Sequence, residues 1–160
     1  MTSTSWVPSR RPLQMPPVAV TGIFAVLMWL MALFTPNLAL PLPPRIAAAL
    51  ALAVMGFLVI ALAVKGFRNE RTSVNPMDLD RTSTVVTSGI YRMSRNPMYL
   101  GMLLCLLGFG CLLGNPFSLA AAVLFVPAIT RLQIIPEERA LLGRFGSDYL
   151  AYCRTVRRWI

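Results

Sequence analysis

Two arginines precede a helix start in the middle of the chain. Arg92 and Arg95 lie just before Asn96-Pro97, and an apolar run begins at Met98. Asparagine is a favoured N-cap residue and proline is favoured at the first helical position, so the pattern predicts a helix that begins here. The free N–H groups and the dipole of a helix N-terminus attract anions. These residue types, with two cations beside them, indicate a site for a carboxylate or another anion.

A pair of carboxylates follows later in the same half of the chain. Glu137 and Glu138 come just after the last long apolar stretch. If the stretches 98–113 and 117–135 form an antiparallel hairpin around their short Gly-Asn-Pro turn, both polar ends reach the same membrane face. Arginines and a helix N-terminus can hold a carboxylate, and a glutamate can hold an ammonium or ribose hydroxyls. The pattern suits a zwitterionic ligand, although each charge is also typical of an ordinary helix flank at a membrane.

The composition indicates an integral-membrane protein. Of 160 residues, 56% are hydrophobic and 13% are charged, whereas a soluble domain has about 25% charged residues. The apolar residues form blocks long enough to cross a bilayer as helices. We predict an all-α membrane protein with four transmembrane helices, a C-terminal helical hairpin core and an amphipathic cytoplasmic C-terminal helix. The predicted spans are 18–34, 46–64, 98–113 and 117–135.

The distribution of basic residues predicts the orientation. The net charge is +9, and the arginines and lysines concentrate in a flexible tail at 1–16 and in two polar stretches at 65–97 and 136–160. The two short turns between spans are uncharged up to Arg45. Because cytoplasmic segments carry the excess of basic residues, both termini and both polar stretches are predicted to be cytoplasmic. We expect a single transmembrane domain at 17–160, in the inner membrane of a bacterium.

Local signals refine this organisation. Prolines in the uncharged turn at 35–44 end the first helix, and Pro127 is expected to kink the fourth. Residues 82–88 are rich in β-branched side chains and are predicted to be strand-like or extended. Gly89 permits a tight turn before the arginines. Gly146 marks a potential break in the amphipathic C-terminal helix.

Several function classes are disfavoured by what the chain lacks. It has no histidine, the commonest general base and metal ligand. Cys105, Cys111 and Cys153 do not form a metal-ligand set, so no metal site is predicted and the thiols are interpreted as structural. The basic residues are scattered between apolar blocks, which does not favour a nucleic-acid partner. The sequence leaves the oligomeric state open.

Ordered motifs around the predicted hairpin resemble those of a family of integral-membrane methyltransferases. The family, which includes isoprenylcysteine carboxyl methyltransferases and phospholipid N-methyltransferases, has the pattern Arg-His-Pro-x-Tyr-x-Gly, then a hairpin, then Glu-Glu-x-x-Leu and Phe-Gly-x-x-Tyr-x-x-Tyr. The corresponding segments here are 89–92, 95–101, 137–141 and 145–152. Asn96 stands where the family has histidine, so this position cannot carry a titratable proton. The resemblance covers about residues 68–160.

The resemblance implies S-adenosyl-L-methionine as methyl donor, bound at the cytosolic face, and a lipophilic acceptor that reaches the site from the membrane. Arg92 and Arg95 would hold the donor carboxylate, and Asn96 would cap the helix below it. Tyr99 would line the adenosine pocket, and Gly101 would let the backbone approach. Arg95 and Glu138 are the implied catalytic residues. The implied cofactor-binding set is Tyr91, Arg92, Arg95, Asn96, Pro97, Tyr99, Gly101, Glu137 and Glu138.

The acceptor group stays open among a carboxylate, a thiol and an amine. An ionised carboxylate or thiolate needs no general base, which suits a chain without histidine, whereas an ammonium would have to lose a proton to a nearby glutamate. Two other readings of the sequence are a membrane reductase that uses NADPH and a non-catalytic lipid-binding membrane protein. No Rossmann-type glycine motif is present, so the soluble methyltransferase scaffold is not expected.

Overall fold

The computed structural model describes residues 15–69 and 85–160, and these residues form helices joined by short turns. A short 3₁₀ helix, Gly89–Arg92, precedes α3, and a π-helical turn, Thr130–Ile134, joins α4 to α5. The described residues contain no strand, so the predicted all-α fold is confirmed. The helices are α1 Pro17–Phe34, α2 Leu42–Asn69, α3 Pro97–Leu113, α4 Pro116–Ile129 and α5 Ile135–Thr155.

The apolar helices make this a multi-pass membrane protein. Within the described ranges, three helices are long and apolar enough to cross a bilayer: Pro17–Phe34, Leu42–Arg68 and the continuous helix Pro116–Thr155. Pro97–Leu113 is a shorter apolar helix of 17 residues. Large apolar side chains such as Phe57 and Leu124 are exposed on the outside of the bundle, as expected where lipid is the solvent. Four apolar helices are thus roughly consistent with the predicted four spans.

Glycines allow α2 and α3 to pack backbone against backbone. A Cβ atom built on Gly101 would lie 2.7 Å from the carbonyl oxygen of Gly56 on α2. A Cβ atom on Gly108 would lie 2.9 Å from the carbonyl oxygen of Ala49. Small residues at such contacts are the usual means by which membrane helices approach closely. This packing places the start of α3 firmly against α2, and it explains Gly101 without a ligand.

Gly56→Ala is expected to lower the melting temperature of the protein in detergent. The added Cβ would lie 2.7 Å from both the Gly101 carbonyl oxygen and the Cys105 sulfur, and overpacking of this kind costs about 1–3 kcal/mol. Gly22→Ala in α1 is the matched control, because a Cβ there meets nothing within 4 Å. Thermal unfolding followed by circular dichroism compares the two variants. Equal melting temperatures would contradict the close α2–α3 contact.

The fourth apolar helix packs against the first and completes the core. Phe24 of α1 contacts Phe125 of α4 edge to face, with 5.4 Å between ring centroids. The hydroxyl of Ser118 donates to the Met28 carbonyl at 2.7 Å. The core consists of Val20, Met28, Tyr99, Met102, Leu106, Ala121, Ala122, Phe125, Ile129 and Ile134.

The two uncharged turns lie together at one end of the bundle. Asn115 caps α4 by accepting from the Ser118 N–H at 2.9 Å, and its amide donates to Thr35 Oγ1 at 2.8 Å. The backbone N–H of Leu38 donates to the carbonyl of Gly114 at 2.8 Å. Gly114 adopts a positive φ of 63° at the end of α3. The start of α3 and the start of α5 therefore lie at the opposite end.

Several local details differ from the sequence-based expectations. α2 begins at Leu42, so the predicted turn at 35–44 is shorter, and Pro43 and Pro44 occupy a first helical turn, where a missing N–H is tolerated. α5 follows the π-helical turn without interruption and ends at Thr155, so the amphipathic C-terminal helix is neither separate nor continuous to residue 160. Its predicted break is confirmed, because Gly146 has a φ of 51° and a ψ of −118°.

Other expectations meet the limits of the described residues. Pro127 lies inside α4, and the π-helical turn follows three residues later, so the helix changes its hydrogen-bonding pattern near the predicted kink. Of the predicted extended segment 82–88, residues 82–84 lie outside the described residues and 85–88 form no strand. Most of the predicted tail and the middle of the polar stretch 65–97 also lie outside them. Gly89 has a φ of 59°, in agreement with the predicted turn.

Candidate functional site

The α3–α5 contact brings together the two charges that the sequence placed far apart. Arg95 lies immediately before α3, and Glu138 lies in the first turn of α5. Arg95 Nη2 is 3.3 Å from Glu138 Oε1, and the side chains are only 13% and 16% exposed. The hairpin thus joins a cation and a carboxylate that are 43 positions apart in the chain (138 − 95). The predicted proximity of the two motifs is confirmed.

A second arginine, Arg158, also contacts Glu138, and the sequence did not predict it at this site. Arg158 Nε donates to Glu138 Oε1 at 3.0 Å, and Arg158 Nη2 donates to Glu138 Oε2 at 2.7 Å. This hydrogen bond to the carboxylate raises the pKa of the Arg158 guanidinium further. The side chain of Arg158 is 39% exposed, far more than Glu138. Glu138 is therefore shared by two guanidinium groups, one largely buried and one more exposed.

The residues after α5 form a strap, defined as 156–160, that crosses the start of α3. The Arg95 N–H donates to the Arg157 carbonyl at 3.1 Å. The side-chain amide of Asn96 donates to the Arg158 carbonyl at 3.0 Å. Trp159 packs against the main core, and Val156 is buried beside α5. The backbone of the strap is thus held by polar and apolar contacts, which fixes the point from which Arg158 reaches Glu138.

Asn96 takes the predicted N-cap position but does not cap the helix with its side chain. No side-chain capping hydrogen bond is formed at the start of α3. The Asn96 amide is engaged by the strap instead, and the Asn96 N–H donates to Ser94 Oγ at 3.1 Å. The expected capping role is therefore corrected to one of holding the strap. Pro97 is buried at the first helical position, as predicted.

Tyr99 and Glu137 form a second polar contact between the same two helices. The Tyr99 hydroxyl donates to Glu137 Oε1 at 2.6 Å, and the Tyr99 ring is buried. The apolar run of this helix ends at Ile135, so Glu137 lies beyond it. Burial raises the pKa of the Glu137 carboxyl to about 7, against the opposing effect of the hydrogen bond from Tyr99. Glu137 can therefore gain or lose a proton near neutral pH.

The remaining predicted site residues are divided between the core and the surface. Tyr91 is buried, its ring lies edge-on to Phe67 at 5.3 Å, and its carbonyl accepts from the Tyr152 hydroxyl at 2.7 Å. Burial raises the pKa of the Tyr91 phenol, which stays protonated. Arg92 is exposed and forms no ion pair within the described part of the chain. Gly101 contacts α2, which fills the space that we expected a ligand to use.

Two of the three guanidinium nitrogens of Arg95 have partners among the described residues, and the third has none. Its Nη1 donates to the sulfur of Cys153 on α5, and its Nη2 contacts Glu138. Its Nε is buried and has no hydrogen-bond partner. A buried, unsatisfied donor on a cation is costly, so the Nε N–H of Arg95 is an unfilled hydrogen-bonding position of the cluster. No group of metal-ligating side chains occurs among the residues that the structure describes.

The helices and this cluster define a membrane protein with a polar site at one end of a helical hairpin. The family model of phospholipid methyltransferases matches residues 44–148. The chain belongs to the phospholipid methyltransferase family, together with the isoprenylcysteine methyltransferases. The matched residues include most of α2, the hairpin and both glutamates.

Three relatives are similar to part of this chain. Protein-S-isoprenylcysteine O-methyltransferase A of Arabidopsis thaliana is 31% identical over 110 residues, which are 67% of this chain and 54% of that protein. The human protein-S-isoprenylcysteine O-methyltransferase is 36% identical over 75 residues, 47% of this chain and 26% of that protein. An uncharacterised protein of Haemophilus influenzae is 40% identical over 63 residues, which are all of that protein and 39% of this chain. The chain thus spans about half the length of the plant relative.

Proposed function

We propose that this protein is an S-adenosyl-L-methionine-dependent methyltransferase that methylates a lipophilic or membrane-associated acceptor. The observation that carries the proposal is the largely buried pair formed by Arg95 and Glu138, whose side chains are 13% and 16% exposed, in a chain of this family. A guanidinium and a carboxylate at one point match the carboxylate and the ammonium of an amino acid. The donor carries such a zwitterionic end.

The residues present fit this donor. The buried Nε of Arg95 lacks a partner, so one more carboxylate oxygen would satisfy it. Glu138 can accept from an ammonium or from ribose hydroxyls, and the Tyr99–Glu137 pair lies beside it on the same two helices. We therefore assign Arg95 and Glu138 as the principal donor-binding residues and keep Tyr99 and Glu137 as neighbouring ones.

S-adenosyl-L-methionine supplies a methyl group that its sulfonium has already activated. The work left to the chain is to bind the donor in one orientation, to align it with the acceptor and to exclude water. Tyr91, Pro97 and Tyr99 are buried near the start of α3, and the Tyr91 ring packs against Phe67 of α2. We place this site on the cytosolic face, because the basic flanks of the helices belong to that face.

The acceptor is proposed to enter from the bilayer, since the exposed faces of the helices are apolar. A carboxylate or thiolate acceptor would attack in its ionised form without help from the protein. An amine acceptor would use Glu137, whose carboxyl has a pKa of about 7, to take up its proton. The relatives named above as O-methyltransferases favour a carboxylate as the first acceptor to test.

Methyl transfer can be measured directly. The full chain, purified in detergent, is incubated with a trideuteromethyl-labelled donor and with lipid extract, a farnesylated cysteine or a small thiol. Mass spectrometry is expected to show a mass increase of one labelled methyl group in one of these acceptors. Absence of labelled product with every acceptor, combined with absence of donor binding, would refute the proposed activity. Binding of NADPH in place of the donor would favour the alternative hypothesis of a membrane reductase.

A further inference from the structure

Both carboxylate oxygens of Glu138 already contact arginines in the arrangement that the structure shows. Its Oε1 is shared by Arg95 and Arg158, and its Oε2 accepts from Arg158. A ligand ammonium that binds to Glu138 would lie beside two guanidinium groups, and the repulsion between these cations favours the release of one of them. Exposure and net charge indicate which of the two arginines leaves Glu138 and which group its guanidinium then contacts.

The two arginines differ in exposure, which indicates that Arg158 rather than Arg95 leaves Glu138. The Arg95 side chain is 13% exposed and is also bonded to Cys153. The Arg158 side chain is 39% exposed and has only Glu138 as a side-chain partner among the described residues. An arginine side chain is long and flexible, so Arg158 can turn toward solvent while the strap stays in place. Its backbone is held independently by Asn96 and by the packing of Trp159.

The net charge of the cluster indicates what the guanidinium of a released Arg158 contacts. Two guanidinium groups share the single carboxylate of Glu138, so the Arg95–Glu138–Arg158 cluster is positively charged before any ligand binds. The neighbouring Glu137 is bonded to Tyr99 rather than to an arginine. The sequence predicted Arg92 as a second cation of the site. Arg92 is exposed, however, and makes no ion pair with any described residue. The cluster can thus hold a ligand carboxylate between Arg95 and a released Arg158.

We propose that Arg158 is a donor-binding residue: on binding, it leaves Glu138 to the ammonium of the donor's amino-acid end and takes the carboxylate of that end. In the free protein Arg158 holds Glu138 in position through two hydrogen bonds. The inference rests on the proposed function, because it assumes a ligand with an amino-acid end. It makes the C-terminal strap part of the binding site rather than a surface tail.

A pair of ligands tests this role. S-adenosylhomocysteine has the amino-acid end, and 5′-methylthioadenosine has the same nucleoside without it. Arg158→Gln in the full chain is expected to weaken binding of S-adenosylhomocysteine at least about tenfold, as for a lost charge-assisted hydrogen bond. Binding of 5′-methylthioadenosine is expected to stay unchanged. Isothermal titration calorimetry in detergent measures both affinities.

Arg157→Gln is the matched control, because it removes the same charge from the neighbouring position, where the side chain is exposed and makes no ion pair with any described residue. It is expected to bind both ligands like the unmodified protein. If Arg158→Gln does not fold, Arg158→Lys keeps the charge but loses the bidentate fork, and a several-fold loss for S-adenosylhomocysteine alone is expected.

Three outcomes overturn the inference. The first is unchanged or tighter binding of S-adenosylhomocysteine by Arg158→Gln, which would mean that Arg158 only blocks Glu138. The second is an equal loss for both ligands in a folded variant, and the third is an equal loss in Arg157→Gln. Failure of the unmodified, folded protein to bind S-adenosylhomocysteine would instead count against the proposed function itself.

Discussion

Glu138→Gln is expected to weaken binding of S-adenosylhomocysteine by about a hundredfold or more, the cost of removing one partner from a buried, hydrogen-bonded charge pair. The glutamine keeps the shape of the side chain but cannot neutralise Arg95 and Arg158, which both bond to this carboxylate. Methyl transfer should fall with the same factor. The melting temperature should also drop, because two guanidinium groups lose their counter-charge.

Asp148→Asn is the control for this variant. It makes the same acid-to-amide change on the same helix, at an exposed position that has no ion pair with a described residue. We expect donor affinity and melting temperature to be unchanged. Normal donor affinity in Glu138→Gln, with the fold intact, would remove Glu138 from the site.

Arg95→Ala is expected to have an effect of similar size. The side chain of Arg95 is largely enclosed between α3 and α5, and it contacts both Glu138 and Cys153. Removing it takes away a cation for the donor carboxylate and leaves Glu138 with the flexible Arg158 alone. Donor affinity, measured by calorimetry, should fall by about a hundredfold.

Arg139→Ala separates the local effect from the general loss of positive charge. Arg139 is exposed beside Glu138 in the sequence, and it makes no ion pair with a described residue. Its replacement should leave donor affinity within about twofold, since isolated surface charges contribute little. If Arg95→Ala and Arg139→Ala behave alike while both stay folded, Arg95 acts only through the overall charge of the surface.

The hairpin and its charge pair could be predicted from the sequence, because they depend on patterns that are local. Apolar runs of bilayer length and a short Gly-Asn-Pro turn define two antiparallel helices. The order of the motifs then decides that Arg95 and Glu138 face each other. Gly146 could be foreseen as a break for a similar reason, since glycine alone adopts a positive φ at little cost.

The strap could not be predicted in the same way. Arg157, Arg158 and Trp159 read as the cationic and aromatic flank of an interfacial helix. Nothing in their spacing shows that α5 ends at Thr155 and that the chain then turns under α3. The contacts that hold it, from Asn96 and from the Arg95 N–H, connect residues about 60 positions apart. The only sequence signal was the asparagine itself, a polar residue whose side chain needs partners once it is half-buried.

The group that occupies the space beside a glycine also could not be predicted from the sequence. Gly101 belongs to a motif that suggested a ligand, yet the backbone of α2 lies where its Cβ would be. Sequence alone gives the need for space at that position and does not tell whether a helix or a ligand fills it. The partner, Gly56, carries no motif and was found only from the packing.

The most direct test of the central claim is a calorimetric titration of the full, folded protein with S-adenosyl-L-methionine in detergent micelles or nanodiscs. We predict saturable binding with one donor per chain, weakened about a hundredfold or more in Glu138→Gln and kept in Asp148→Asn. Absence of saturable binding by folded protein, or equal binding by both variants, would contradict a donor site built on Arg95 and Glu138.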